Sequence, residues 1–301
     1  MTNSRRALSG TAFATLLLIA LMMGANHVAA RLAFNNGVDV ATAVAVRSTV
    51  TALVVALVVF INRVPLQLTA RHKRFLPLIG LLIGVQSLCL YASVARLPVA
   101  LALLAFNSYP LWAALWDRVL YKRHPERAVL LAMPVILVGL GLALDVFGAA
   151  SGLGAAQQWG RIGVGVAFAL AAGATFGLAM ILTQHEAGLL DGRVRTVSTL
   201  GTAAVIALVV VTLQGGFHWP QASPGWWGLA ALTFLYGTAF TIMFTVLPKL
   251  GVAGNSAIMN VEPVFALVLA WLILNQAIAP VQIAGALLVV GTVMALGLRK
   301  Q

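Results

Sequence analysis

Apolar residues run along this chain in long blocks separated by short polar stretches. The blocks fall at about 8–31, 40–62, 75–95, 99–121, 128–147, 161–184, 196–214, 226–247, 255–274 and 280–298. Each is close to the roughly 20 residues a helix needs to cross a bilayer core. They lack the apolar–polar alternation of barrel strands. The pattern predicts an all-α, polytopic membrane protein of ten transmembrane helices. The loops are short, and no stretch is long enough for a separate soluble domain.

Composition agrees. Hydrophobic residues make up 61% of the 301 and charged residues 9%, against about 25% charged in an ordinary soluble domain. A water-facing surface cannot be covered with so few charges. The net charge of +12 does not imply nucleic acid, because Lys and Arg sit in clusters between apolar runs. Fifteen of them fall on one side: the 62–74, 122–127, 185–195 and 248–254 loops with adjoining helix ends, and both termini. Arg31, Arg96 and Arg161 fall on the other, and Arg47 lies within a helix. The positive-inside rule then places both termini in the cytoplasm and Trp159, Trp219, Trp226 and Trp227 at the outer interface. Arg5, Arg6, the following apolar run and Ala29-Ala30 imitate a signal peptide. That run is long enough to span and its pattern recurs, so it is read as a retained first helix. Cys89 is the single cysteine and excludes an intramolecular disulfide.

The chain resembles itself. Arg96–Pro110 reads RLPVALALLAFNSYP and Lys249–Pro263 reads KLGVAGNSAIMNVEP. At an offset of 153, Leu97, Val99, Ala100, Asn107 and Pro110 match Leu250, Val252, Ala253, Asn260 and Pro263. Gly24-Ala25 matches Gly173-Ala174 at an offset of 149. We divide the chain into a first repeat, 1–150, and a second, 151–301. Five spans per half is an odd number, so the second repeat is expected to sit inverted. Inverted repeats let one half rock against the other around a central site. That expectation leads from a membrane protein to a transporter.

The five-plus-five repeat, Gly24-Ala25-Asn26 near the end of the first helix, Asn260-Val261-Glu262-Pro263 at the start of the ninth, and the short basic loops resemble the drug/metabolite transporter superfamily in its EamA-type ten-helix branch. The resemblance covers nearly the whole chain. Within that branch the chain is similar to bacterial exporters of amino acids, including the aromatic amino-acid group. It implies a central cavity lined by helices one to four and six to nine, with the fifth and tenth peripheral. Met23 stands where many members carry tryptophan before the glycine.

Candidate binding residues are the polar and aromatic groups inside spans. Pro110 and Pro263 are expected inside helices, freeing the carbonyls of Phe106 and Met259. They would form a paired hinge with acceptors for a substrate ammonium, or they serve packing. Glu262 is costly to bury charged, by several kcal/mol. It is expected to carry a proton, bind an ammonium, or hydrogen-bond Asn107 or Tyr109. Arg47 would bind a substrate carboxylate with its planar fork, reach the outer interface, or pair with Asp39. Asn26 and His27 are placed at the outer vestibule, where a histidine can also be simply solvated. Gln86, Tyr91, Trp112 and Tyr236, with Asn107, Tyr109 and Asn260, complete the candidate cavity wall. Gly80/Gly84 and Gly173/Gly177 have the spacing for close helix approach.

The sequence has no P-loop, no His-Glu-x-x-His, no metal-ligand cluster and no Gly-x-Ser-x-Gly elbow. No catalytic residue, cofactor, metal or ATPase subunit is expected. Rings of charge or a filter repeat, which would favour a channel, are also missing. The expected function is secondary transport: export of amino acids or related small metabolites across a bacterial inner membrane by alternating access. The alternative is export of other cationic or amphipathic compounds.

Overall fold

The computed structural model describes residues 10–123, 127–148, 150–246, 261–276 and 278–299. These fold into α1 (Gly10–Phe34), α2 (Val40–Ile61), α3 (Ala70–Val94), α4 (Val99–Phe106), α5 (Tyr109–Tyr121), α6 (Arg127–Ala143), α7 (Ala155–Glu186), α8 (Gly192–Leu213), α9 (Ser223–Thr245), α10 (Glu262–Leu274) and α11 (Pro280–Arg299). No strand occurs among the described residues. Ten apolar segments are present, with the fourth in two pieces. Seven are long and apolar enough to cross a membrane, α4 and α5 counting as one segment, Val99–Tyr121. The other three are shorter apolar stretches, Leu130–Ala143, Glu262–Leu274 and Pro280–Ala295. At 1.5 Å per residue, stretches of 13–16 helical residues fall short of a ~30 Å core, so length and composition mark seven spans among the described residues.

Local chemistry sets several helix starts. The Asp39 side chain accepts from Thr42 N, and Thr69 and His72 form a reciprocal capping box at α3, filling donors that a helix N-terminus leaves open. Asp191 caps α8 through Arg193 N. The Arg193 guanidinium hydrogen-bonded to Asp191 holds that carboxyl below its usual range.

The outward faces carry Leu53, Leu57 and Phe60 of α2 and Leu131 and Leu137 of α6, all well exposed. In water such a surface would be an aggregation liability. In lipid it is the solvent-facing side. Two of the arginines on the sparsely charged side are tied down: Arg31 Nη1 donates to Val94 O at 2.7 Å, and Arg96 Nη1 to Ala92 O at 2.8 Å.

The helix pairings map onto themselves when the halves are exchanged. α1 packs on α9 as α7 packs on α3, α2 on α9 as α8 on α3, and α10 on α1 as α4 and α5 on α7. The pairs α2–α8, α4–α10 and α6–α11 each map to themselves. At the periphery a Cβ on Gly139 would meet Gly285 O and Val289 N, and one on Gly285 would meet Ala143 N and Gly139 O. Residue number rises on one helix as it falls on the other, so α6 and α11 run antiparallel. A twofold axis in the membrane plane requires this of related helices.

Two sequence expectations are corrected. Pro110 is not inside a helix: α4 ends at Phe106, and Pro110 lies in the first turn of α5, where proline has no hydrogen bond to lose. The freed Phe106 carbonyl faces Gly173, whose Cβ would lie 3.2 Å from it. Pro263 likewise lies in the first turn of α10, and Met259 falls outside the described residues. The glycine correspondence also shifts. A Cβ on Gly24 would meet Glu262 O at 3.0 Å and Ala266 N at 3.1 Å, and one on Gly177 would meet Tyr109 O at 3.0 Å and Ala113 N at 2.8 Å. Glu262 and Ala266 are Tyr109 and Ala113 shifted by 153 positions, as is Gly177 from Gly24. The structural counterpart of Gly24 is therefore Gly177 and not Gly173. α3 runs parallel to α8 through the other glycine pair, Gly80 against Thr202 and Gly84 against Ile206.

Candidate functional site

The absent side chain of Gly24 lets α10 approach α1, bringing the Glu262 carbonyl against it. His27 lies three residues further, on the same face of α1. Its Nδ1 is 3.1 Å from Glu262 Oε1 and 2.8 Å from Met23 O. His27 is 3% exposed, so it is not the solvated interface histidine that its sequence position allowed. Glu262 finds His27 rather than the expected Asn107 or Tyr109 as its close partner.

A second centre forms around Arg47 of α2, which is 2% exposed. Its guanidinium carbon lies 4.4 Å from the Tyr91 ring centroid and 3.9 Å from that of Tyr236. Nη2 donates to Ser87 Oγ at 3.0 Å, and Ser87 Oγ is 3.5 Å from Gln86 Oε1. Among the described residues Arg47 makes no ion pair with Asp39. Asp39 instead lies 3.8 Å from His218 Nδ1. Cation–π attraction strengthens as the pair loses water, and this favours an arginine between two buried rings over one reaching for the interface.

Tyr91 joins the two centres. Its hydroxyl donates to Asn26 Oδ1 at 2.9 Å, and its ring centroid is 5.6 Å from that of His27. Asn26, His27, Arg47, Gln86, Tyr91, Tyr236 and Glu262 thus form one polar and aromatic cluster drawn from α1, α2, α3, α9 and α10. Tyr91→Phe is expected to lower stability by about 1–3 kcal/mol, because it leaves the Asn26 oxygen buried without a donor. The ring, and with it the contact to Arg47, remains. A thermal midpoint in detergent equal to that of the parent protein would show that the bond carries no weight.

Asn107, Tyr109 and Trp112 gather elsewhere, at the break between α4 and α5. Phe106, Tyr109 and Phe176 form a ring triad with centroids 5.1–5.7 Å apart. Asn107 Nδ2 and Ser108 Oγ are buried with no hydrogen-bond partner among the described residues. The Trp112 Cβ lies over Gly177, 3.1 Å from where a Cβ on that glycine would be. Tyr109 lies within electrostatic range of Glu262, a link between the break and the main cluster. Asn260 falls outside the described residues. α5 and α10 open at positions 153 apart, Tyr109 and Glu262, each with its proline in the first turn.

The sequence reading missed a network at one end of the bundle. Arg71 donates to Glu186, which also accepts from the Tyr121 hydroxyl at 2.5 Å. His185 Nε2 lies 3.1 Å from Asp117 Oδ1, and its ring stacks on Tyr121 with centroids 3.8 Å apart. These groups tie the start of α3 to the ends of α5 and α7. The available signal was the four-residue spacing of Asp117 and Tyr121, one face of a helix running into a basic loop.

A family model described as the EamA-like transporter family matches the chain twice, over residues 10–144 and 163–298. No curated protein matches it. One solved structure, titled only "Crystal structure of protein", aligns over 98% of this chain and 100% of its own, with a TM-score of 0.63 and 19% identity. At that identity the likeness carries the fold alone.

Proposed function

This chain belongs to the EamA-like transporter family, and on that premise we propose that it exports amino acids or related small metabolites across a bacterial inner membrane by alternating access. As a family member it is a multi-pass membrane protein that transports small molecules. The proposal adds substrate, direction and mechanism, together with cytoplasmic termini and a division into repeats 1–150 and 151–301. The observation that supports it is the composition of the cluster. Asn26, His27, Arg47, Gln86 and Tyr91 come from the first half, and Tyr236 and Glu262 from the second. A site shared between halves changes its exposure when one half rocks against the other. A buried cation, a half-buried carboxylate and aromatic walls also suit a small zwitterion better than an uncharged solute.

The test is flux of labelled amino acids into liposomes holding the purified chain, without ATP. Saturable uptake, accelerated by unlabelled substrate on the opposite side, is expected. If no amino acid in a broad panel moves while another solute class does, the substrate assignment falls and the transporter remains. The alternative class, amphipathic compounds, is favoured by one feature. An apolar cleft of about 670 Å3 runs between α2 and α9. Lipophilic cations belong in the same panel for that reason.

A further inference from the structure

Arg47 is a buried cation without a counter-ion: among the described residues no carboxylate pairs with it, and its Nε has no hydrogen-bond partner. The Tyr91 and Tyr236 rings lie against the guanidinium, its carbon 4.4 Å and 3.9 Å from their centroids. Nη2 is held by Ser87 Oγ at 3.0 Å. The donor left unpaired is the buried Nε–H, which lies in the guanidinium plane. An in-plane edge of a planar fork is the geometry that selects carboxylates. Glu262, the acid of the same cluster, is engaged by His27 at 3.1 Å.

The surroundings say what the rest of that ligand is. The cleft between α2 and α9 is lined by Val50, Val54, Trp226, Leu229 and Phe234, and its inner wall reaches Thr51. Thr51 is fully buried, its hydroxyl has no partner among the described residues, and it stands one helical turn from Arg47 on the same face of α2. On the facing helix, Gly237 borders the cleft and adjoins Tyr236, the ring that covers the guanidinium. The geometry points to a binding site for a carboxylate with an apolar tail, the head on Arg47 beside Thr51 and the tail in the cleft. Two sources share that chemistry: an amino acid with a large apolar side chain, and a simple medium-chain monocarboxylate. The inference deepens the transporter reading by naming what its site selects, and rests on that reading only for the site being open to solutes.

The test is saturation binding to the purified full chain in nanodiscs, with empty discs subtracted. Octanoate, acetate, octanol, octylamine, leucine and leucinamide are the probes. Octanoate or leucine is expected to bind at least about tenfold tighter than its uncharged or amide counterpart, the worth of a charge-assisted bond to the carboxylate. R47Q removes that preference. R47K removes most of it, because a point charge lacks the fork. V50W, at a partly exposed position, fills the cleft and weakens octanoate without changing acetate. Leucine binding without octanoate binding identifies the amino-acid source, and the reverse identifies the monocarboxylate. Equal binding of carboxylate and amide to the unmodified chain overturns the inference, and does so even if R47Q fails to fold. Retention of the preference by folded R47Q also overturns it. A chain that binds octanoate through Arg47 but moves no amino acid keeps this inference and loses the proposed substrate. One whose R47Q variant moves amino acids unchanged keeps the substrate and loses this.

Discussion

Glu262→Gln is expected to leave the chain folded, to lower flux at least about tenfold, and to flatten its dependence on pH. The geometry behind this is the position of His27 Nδ1, 2.8 Å from the Met23 carbonyl and 3.1 Å from the Glu262 carboxylate. A carbonyl oxygen cannot donate, so the 2.8 Å contact with Met23 requires a proton on Nδ1, which the Glu262 oxygen also accepts. Glutamine keeps an oxygen that accepts from Nδ1 and fills the same volume, but it can neither ionise nor give up a proton. The substitution therefore separates packing from charge. Among the described residues, Tyr109 and Tyr91 also lie within the carboxylate's electrostatic reach. Flux into liposomes at a series of internal and external pH values is the measurement. If rate and pH profile both survive in Glu262→Gln, the residue is a structural hydrogen-bonder and proton coupling through it is excluded.

Gly24→Ala and Gly177→Ala are each expected to destabilise the chain by about 1–3 kcal/mol, the usual cost of overpacking a tight interface. The added Cβ would meet backbone, not a movable side chain. At Gly177 it would lie 2.8 Å from Ala113 N and 3.0 Å from Tyr109 O, and at Gly24 3.0 Å from Glu262 O and 3.1 Å from Ala266 N. Relief requires α5 to move off α7, or α10 off α1. The second movement also separates Glu262 from His27, so Gly24→Ala should lose transport beyond its loss of stability. Because the two glycines occupy equivalent places, their stability effects should be similar. Gly201 of α8 is the control, since nothing lies within 4 Å of a Cβ there. Helix packing in membranes depends on such close approach, there being no hydrophobic drive between helices in lipid. Thermal midpoints of both variants matching that of Gly201→Ala would contradict the helix contacts described.

Much was legible in the sequence because the bilayer imposes its constraint locally. A segment that crosses hydrocarbon must be apolar for about 20 residues whatever its neighbours do, so the apolar blocks and the described helices correspond closely. The repeat was legible where function or packing holds a rare residue: Pro110 and Pro263 each mark a helix start. It was misread at the glycines, where Gly173 and Gly177 both look like Gly24 and only the contacts of Gly177 distinguish them. That Pro110 begins a new helix rather than kinking an old one was equally hidden. A proline removes one hydrogen bond wherever it lies, and whether the chain bends or breaks depends on what receives the freed carbonyl, here the surface beside Gly173.

The sequence by itself determined the all-helical membrane class, the segments that form the bundle, the twofold repetition and the small set of polar residues that had to be accounted for inside spans. Tertiary structure alone decided which of them meet. His27 and Glu262 are 235 positions apart and Arg47 and Tyr236 are 189 apart, and no local propensity joins residues at such distances. The physical reason is that one apolar helix is as good a neighbour as another to a hydropathy pattern. Partners are chosen by the shape of small-residue surfaces and by the need of each buried polar group for a mate, and both are properties of the assembled bundle.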